Sequence, residues 1–324
     1  MTTPTPSLSA WLAPKATPEP RPNAMILAVF GLLLAAGWLM PAWLLGIAGV
    51  MLAKALAVLG CIVLLRGGLV SFGQGLYFCL GGYAVGVMDM LGVSDLALRV
   101  MAAALAALAI AVPAGFLVRR YRGLFFAMLS LALSMLLWGL LVRNHRFGST
   151  DGFNVSPTSL LGSVLDGSTA QRTLYVAAVV IACACCLAVT RYFGSIAGRM
   201  ALALKDNELR IGFLGQSASV LVHVEYTVAA VLTGAAGGLV AMMSGHIDPD
   251  MAYWTTSGDF VFITILGGAG HVMAAFLGAG VFELVHTAAL WLAPGTWRLL
   301  LGAVLLLLIL RLPDGLWSLF ARKP

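Results

Sequence analysis

The chain has 324 residues, of which 61% are hydrophobic and only 10% charged, with a formal net charge of +6. A soluble domain carries about 45–50% apolar and about 25% charged residues, so these proportions exclude a water-soluble globule, a disordered chain and a disulfide-stapled secreted domain. In a chain this apolar, the excess Lys and Arg belong at membrane edges and not on nucleic acid.

Residues 1–23 are rich in Pro, Thr and Ser, show no basic-then-apolar leader pattern, and read as a disordered cytoplasmic tail. A membrane-crossing helix needs about 20 mostly apolar residues. Ten such runs follow, at about 24–41, 43–65, 69–91, 96–118, 123–142, 173–193, 219–243, 254–268, 271–292 and 297–312. The eighth is short and reads as entering only part of the bilayer. No run alternates apolar and polar residues as barrel strands do. The expectation is therefore an all-α integral membrane protein, a polytopic helical bundle of about 8–10 transmembrane segments over 24–312, with a short tail at 313–324. Counting Lys and Arg at the span ends gives 13 on one side, among them Arg66, Arg119, Arg122 and Arg199, against 5 on the other: Arg99, Arg143, Arg146, Arg172 and Arg298. The positive-inside rule then places both termini in the cytoplasm.

The third run holds Gly67, Gly68, Gly73, Gly75, Gly81, Gly82 and Gly86, with Ser71 and Gln74 among them. Two readings stay open. Gly82 and Gly86 form a G-x-x-x-G pair suited to close helix packing. Alternatively, the glycines permit a broken helix whose freed backbone faces protein or a watery path, which makes Ser71 and Gln74 pathway candidates. Gly267, Gly268 and Gly270 form a similar hinge later in the chain, and Gly267 and Gly268 join the pathway candidates; Gly234 and Gly238 make another small-residue face.

Two hydrophilic connections are long. The first, 143–172 on the outer side, carries Gly148, Gly152, Gly162, Gly167 and Pro157, which is turn chemistry. The second, 194–216, is cytoplasmic and contains one folded-looking segment. Met200, Leu204, Ile211 and Leu214 fall on one helical face, Lys205, Asp206, Glu208 and Arg210 surround the other, and Gly215 follows as a stop. A helix of about 15 residues is about 22 Å long, too short to span, so it lies along the inner surface. An anionic membrane would favour a purely basic face; the Lys205-Asp206-Asn207-Glu208 tetrad fits a protein partner better.

Lys54, Glu225, Glu283 and His286 are the ionisable residues within or near spans, and each is a functional candidate for that reason alone. Glu283 and His286, three apart on one helix, can pair as a proton-coupled carrier would require. The five cysteines all lie in spans, where thiolates are expensive, so Cys183-x-x-Cys186 reads as packing. No G-x-x-x-x-G-K-[ST] phosphate loop, H-E-x-x-H pattern or G-x-S-x-G elbow occurs, so the chain reads as no enzyme and is assigned no metal or cofactor.

Five stretches together resemble one family. GLVSFGQGLYFCLGGYAVGVM is similar to the early span of branched-chain amino acid ABC transporter permeases, and YRGLFFAMLSLALSMLLW to their next block. HRFGSTDGFNV resembles their outer-loop motif, GRMALALKDNELRIGFLGQSASVLVHVEYTVAAVLTGAAGGLVA their cytoplasmic loop and next span, and FITILGGAGHVMAAFLGAGVFE their GG-x-G block. The order agrees, the resemblance covers about 40–312, and the LivM type fits best. The chain departs at Val222–Tyr226, with His223 and Glu225 there, and at Ser149 and Thr150, which replace a double glycine.

The resemblance implies a permease subunit of the bacterial inner membrane, working beside a second permease, two cytoplasmic ATPase subunits that hold the ATP and Mg, and a periplasmic solute-binding protein. It makes the 194–216 segment a coupling helix, with Leu204, Lys205, Asp206, Asn207, Glu208, Arg210 and Gly215 meeting the ATPase. The implied cargo is leucine, isoleucine or valine, or a small solute such as urea or an amide. An ion-coupled secondary carrier is the competing class.

Overall fold

The computed structural model describes residues 22–160, 163–164, 167–206, 208–213, 215–292, 294–312 and 315–319. Of the two expected tails, 22–23 and 315–319 are described, the latter including a short 3-10 helix at Leu316–Leu319.

Ten helices match the ten apolar runs to within a few residues at most ends. They are α1 (Pro22–Leu39), α2 (Ala42–Arg66), α3 (Gln74–Met90), α4 (Leu96–Val118), α5 (Gly123–Val142) and α6 (Gly167–Gly194), then, after two shorter helices, α9 (Ala218–Ser244), α10 (Trp254–Gly267), α11 (Ala274–Leu292) and α12 (Trp297–Arg311). The shorter pair is α7 (Ile196–Asp206) and α8 (Glu208–Phe213). Among the described residues, α2, α4, α5, α6, α9 and α11 are each long and apolar enough to cross a bilayer unaided. α10, with 14 residues, is about 21 Å long and falls short of the hydrocarbon thickness, as the sequence indicated. Among the described residues, the strands form short pairs: β1 (Phe153–Asn154) with β4 (His246–Ile247), and β2 (Ser159–Leu160) with β3 (Ser163–Val164).

α2 and α9 form the centre. In each, 72% of the most apolar stretch is buried within the chain, against 22% for α4 and α5 on the periphery. Side-chain size explains which helices meet. α4 buries Arg99, Ala103, Ala107, Ala111 and Gly115, a stripe at four-residue spacing that forms one face. Ala103 fits against Gly238, and Ala107 against Gly234, on α9. The small-residue face at Gly234 and Gly238 thus packs as the sequence indicated. On α3 the closest approach falls one residue before the G-x-x-x-G pair. Gly81 lies where any Cβ would strike the carbonyl of Gly234, while Gly82 and Gly86 face Met251 and Phe153. A Cβ on Gly237 would likewise strike the Phe78 carbonyl. Between spans the hydrophobic effect contributes little, so such close approaches and the dispersion they allow hold the helices together.

Gly81→Val is therefore expected to destabilise the bundle by about 1–3 kcal/mol or more, as overpacked cores do. Gly31→Ala, where nothing lies within 4 Å, is the control and is expected to be neutral. Thermal melts in detergent check both, and equal melting temperatures for the two variants would refute the close-packing account.

Candidate functional site

The third run is broken. α2 ends at Arg66, Gly68 adopts a left-handed φ of 76°, and α3 begins only at Gln74, leaving Leu69–Gly73 without helix. In lipid every freed backbone group needs a partner. The segment finds them in serines from neighbouring helices and from itself. The Phe72 amide donates to Ser130 Oγ of α5 (3.2 Å), the Gly73 amide to Ser71 Oγ (3.2 Å), and the Gly75 amide to Ser257 Oγ of α10 (2.8 Å). Gln74 is wholly buried; its Oε1 accepts from the Thr233 hydroxyl of α9 at 2.8 Å, and its amide nitrogen has no partner. Ser71 is buried too and lines a cavity of about 60 Å³ with Cys61 and Thr264. Ser71 and Gln74 thus sit in a polar seam joining α3, α5, α9 and α10. Gly267 and Gly268 form the turn after α10, where Gly267 packs on Ala274 and Gly278 of α11.

At this end of the bundle lie α7 and α8. The helical segment starts earlier than the sequence indicated, at Ile196, and is described over Ile196–Asp206 and Glu208–Phe213; Asn207 and Leu214 lie outside the described residues. Its apolar face meets the bundle, with Leu204 and Ile211 buried in one cluster with Leu64, Leu69 and Leu221. Lys205 is exposed and its stem lies against Gly68 of the break. Glu208 is exposed and pairs with Arg122 at 2.9 Å, while the other guanidinium nitrogen of Arg122 donates to the carbonyls of Arg119 and Tyr121. Gly215 takes a φ of 75°, as a helix stop requires. The side chains of Asp206 and Arg210 are outside the described set. Sequence reasoning missed Phe213, which is 89% exposed at the tip of α8.

The opposite end is fastened by a different group. Arg99, on the first turn of α4, is completely buried. Its guanidinium pairs with Asp89 of α3 at 2.5 Å and donates to the carbonyls of Val93 (2.9 Å) and Ser156 (3.0 Å). Asp89 in turn accepts from the Ser156 amide and hydroxyl, both at 3.1 Å. The glycine-rich loop, read in the sequence as turn chemistry, is thereby tied to two helices. β1–β4 pairing and the His246–Asn154 hydrogen bond of 2.9 Å join it to the segment after α9.

Three of the four embedded ionisable residues come together. Lys54 donates to Glu283 at 2.9 Å, and His286 lies 3.8 Å from the same carboxylate. Asp259 and Arg298 line one cavity with Lys54 and His286, whereas Glu283 is outside its lining; the sequence reading passed over Asp259 and counted Arg298 only as an end charge. Glu225 stands apart. It is buried beside Gly67 and Arg66, and neither carboxylate oxygen has a hydrogen-bond partner. All five cysteines are free, and among the described residues no three His, Cys, Asp or Glu side chains are grouped to hold a metal.

Ten apolar helices, a broken span stitched by side-chain hydroxyls, and an amphipathic helical pair at one end define a multi-pass membrane permease. The chain belongs to the family described as the branched-chain amino acid transport system, permease component, which matches residues 43–310. It is 24% identical over 271 residues to the high-affinity branched-chain amino acid transport system permease protein LivM of Salmonella typhimurium, and equally to that of Escherichia coli. Each match covers 77% of this chain and 64% of the relative, so the chain spans somewhat under two thirds of those proteins. No solved structure matches the chain.

Removing one partner of a buried ion pair costs about 3–5 kcal/mol, because the other charge stays buried. Asp89→Ala, which strands Arg99, is expected to lower the melting temperature by several degrees and to open 149–160 to protease. Unchanged proteolysis would mean that Asp89 does not hold the loop.

Proposed function

We propose that the chain is the transmembrane subunit of an ATP-binding cassette importer in the bacterial inner membrane. With a second permease it forms the translocation pathway for branched-chain amino acids or similar small polar solutes, which a periplasmic binding protein delivers at the end fastened by Arg99. Two ATPase subunits bind ATP and Mg and engage α7 and α8 at the cytoplasmic end. Family membership and the names of the LivM relatives support the cargo and the class.

The observation that carries the proposal is the division of labour on α7 and α8. Their inner face, Leu204 and Ile211, is buried in the bundle, so the pair moves with α2 and α9. Their outer side presents Lys205, Glu208 and an almost fully exposed Phe213. A large aromatic left this bare, amid mixed charge, suits a groove on a protein partner better than an anionic lipid surface. Asp206, Asn207, Arg210 and Gly215 belong to the same docking surface in this proposal. Pressure on it passes to the Gly68 break, against which Lys205 lies.

The competing class is an ion-coupled carrier, favoured by the Lys54–Glu283–His286 group. The complex, purified with its ATPase subunits and reconstituted in vesicles, separates the two. Phe213→Ala combined with Glu208→Lys is expected to cut ATP-driven uptake by about tenfold while the solute-binding protein still docks. The Arg122–Glu208 pair is half exposed, so breaking it costs the fold at most about 1 kcal/mol. Uptake driven by an ion gradient without ATP, and indifferent to these changes, would decide for the carrier.

A further inference from the structure

Lys54 stands at the middle of α2 and Glu283 at the middle of α11, the deepest places a bilayer offers. Neither is sealed: their side chains are 25% and 11% exposed, and that of His286 is 25% exposed. Ionised groups at such depth do not face hydrocarbon; they face protein or water. Lys54 and His286 line a cavity of about 290 Å³, and Glu283 reaches it only through its contacts with them. The lining runs from Arg298, near the start of α12, to Lys54 at mid-depth. Arg298 lies in the first turn of α12 and Asp259 in the second turn of α10, with His286 between that level and the Lys54–Glu283 pair.

The chemistry of the walls is specific. Lys54, His286 and Arg298 share this lining with the carboxylate of Asp259, which lies within electrostatic range of all three. The remaining wall is mostly apolar, with Phe262, Phe282, Leu301 and Leu305. A lone anion would be repelled by Asp259, and a lone cation by Lys54 and Arg298. A molecule carrying both charges on one carbon satisfies both sets, and an aliphatic side chain on that carbon fits the apolar wall. The volume, at the lower limit of ligand sites, admits a small solute and little else.

We propose that this cavity is a solute site within the membrane, and that it takes an α-amino acid zwitterion. Its carboxylate faces Lys54 and Arg298, its ammonium Asp259, and its side chain the Phe282–Leu305 wall. The site rests on the permease reading above and adds a place and a recognition chemistry to it. It is distinct from the cavity beside Ser71, which is lined by no charged side chain.

The test labels a cysteine in the wall. Leu305→Cys, and separately Gly302→Cys one turn shallower, are made in the full chain in membranes with its partner subunits, leaving every charged group in place. A charged, membrane-impermeant methanethiosulfonate is added, and its rate is compared with that of the unsubstituted chain. Either cysteine is expected to react, and saturating leucine to slow the reaction about tenfold. 3-Methylbutylamine (the ammonium half) and 4-methylpentanoate (the carboxylate half) are expected to protect less than about twofold at the same concentration, because each meets only one of the two charge sets. Adding Asp259→Asn is expected to keep the labelling and abolish the protection by leucine. Failure of both cysteines to react would overturn the proposal, since the cavity would then be covered by protein or lipid. Labelling that leucine does not slow, or that either half slows equally, would overturn it too. ATP-driven uptake in the same membranes reads the permease proposal separately. Uptake without protection defeats the site alone, whereas protection without uptake upholds the site and defeats the transport role.

Discussion

Backbone-to-backbone approach at glycine is the constraint on which this bundle rests. Helices already in lipid gain little by hiding apolar side chains from water, so they must gain by coming close. Gly81 against the Gly234 carbonyl, Gly237 against the Phe78 carbonyl and Gly60 against the Ala229 carbonyl set α9 directly upon α2 and α3. The alanine stripe of α4 closes the same helix from another side. At these points the helices meet backbone to backbone. They form one block, and α9 is its axis.

That block gives the polar features their separate meanings. The break before Gln74 survives at membrane depth because Ser130 and Ser257 supply what the lost helical turn would have supplied. The Arg99–Asp89–Ser156 group holds the loop at one end, and Arg122–Glu208 ties α8 at the other. Among the described residues, the Lys54–Glu283 region combines embedded charge with open space. A subunit that moves as a block needs a handle and a place for cargo. In the proposed account, α7 and α8 are the first and this cavity the second, at opposite ends of the same rigid core.

Most of the fold was legible in the sequence, because the thickness of the hydrocarbon imposes a run length that any reader can measure. The ten runs became ten helices for that reason. The break in the third run was one of two readings that the glycines allowed, since Gly67–Gly75 is compatible with either packing or fracture. What decided it was the presence of Ser130 and Ser257 opposite, 58 and 182 residues away from the amides they receive. The Lys54–Glu283 pair is separated by 229 residues, and no periodicity reports such a partner. The i, i+3 spacing of Glu283 and His286 was visible; Asp259 was not, because it sits in a short run among Thr and Ser, where an acid looks like a span end. The choice of Gly81 over Gly82 and Gly86 depends on rotation about the helix axis, which a G-x-x-x-G pattern does not fix. Phe213 went unseen because an aromatic beside an apolar face reads as part of it.

The account stands or falls on whether the α7–α8 surface is held by a motor. A photo-crosslinking residue placed at Phe213 in the full chain, in membranes where the adjoining subunits are present, tests this most directly. The account predicts a crosslink to an ATP-hydrolysing chain whose yield changes when nucleotide is bound or hydrolysed. Crosslinks to lipid alone, the same with and without ATP, would contradict it.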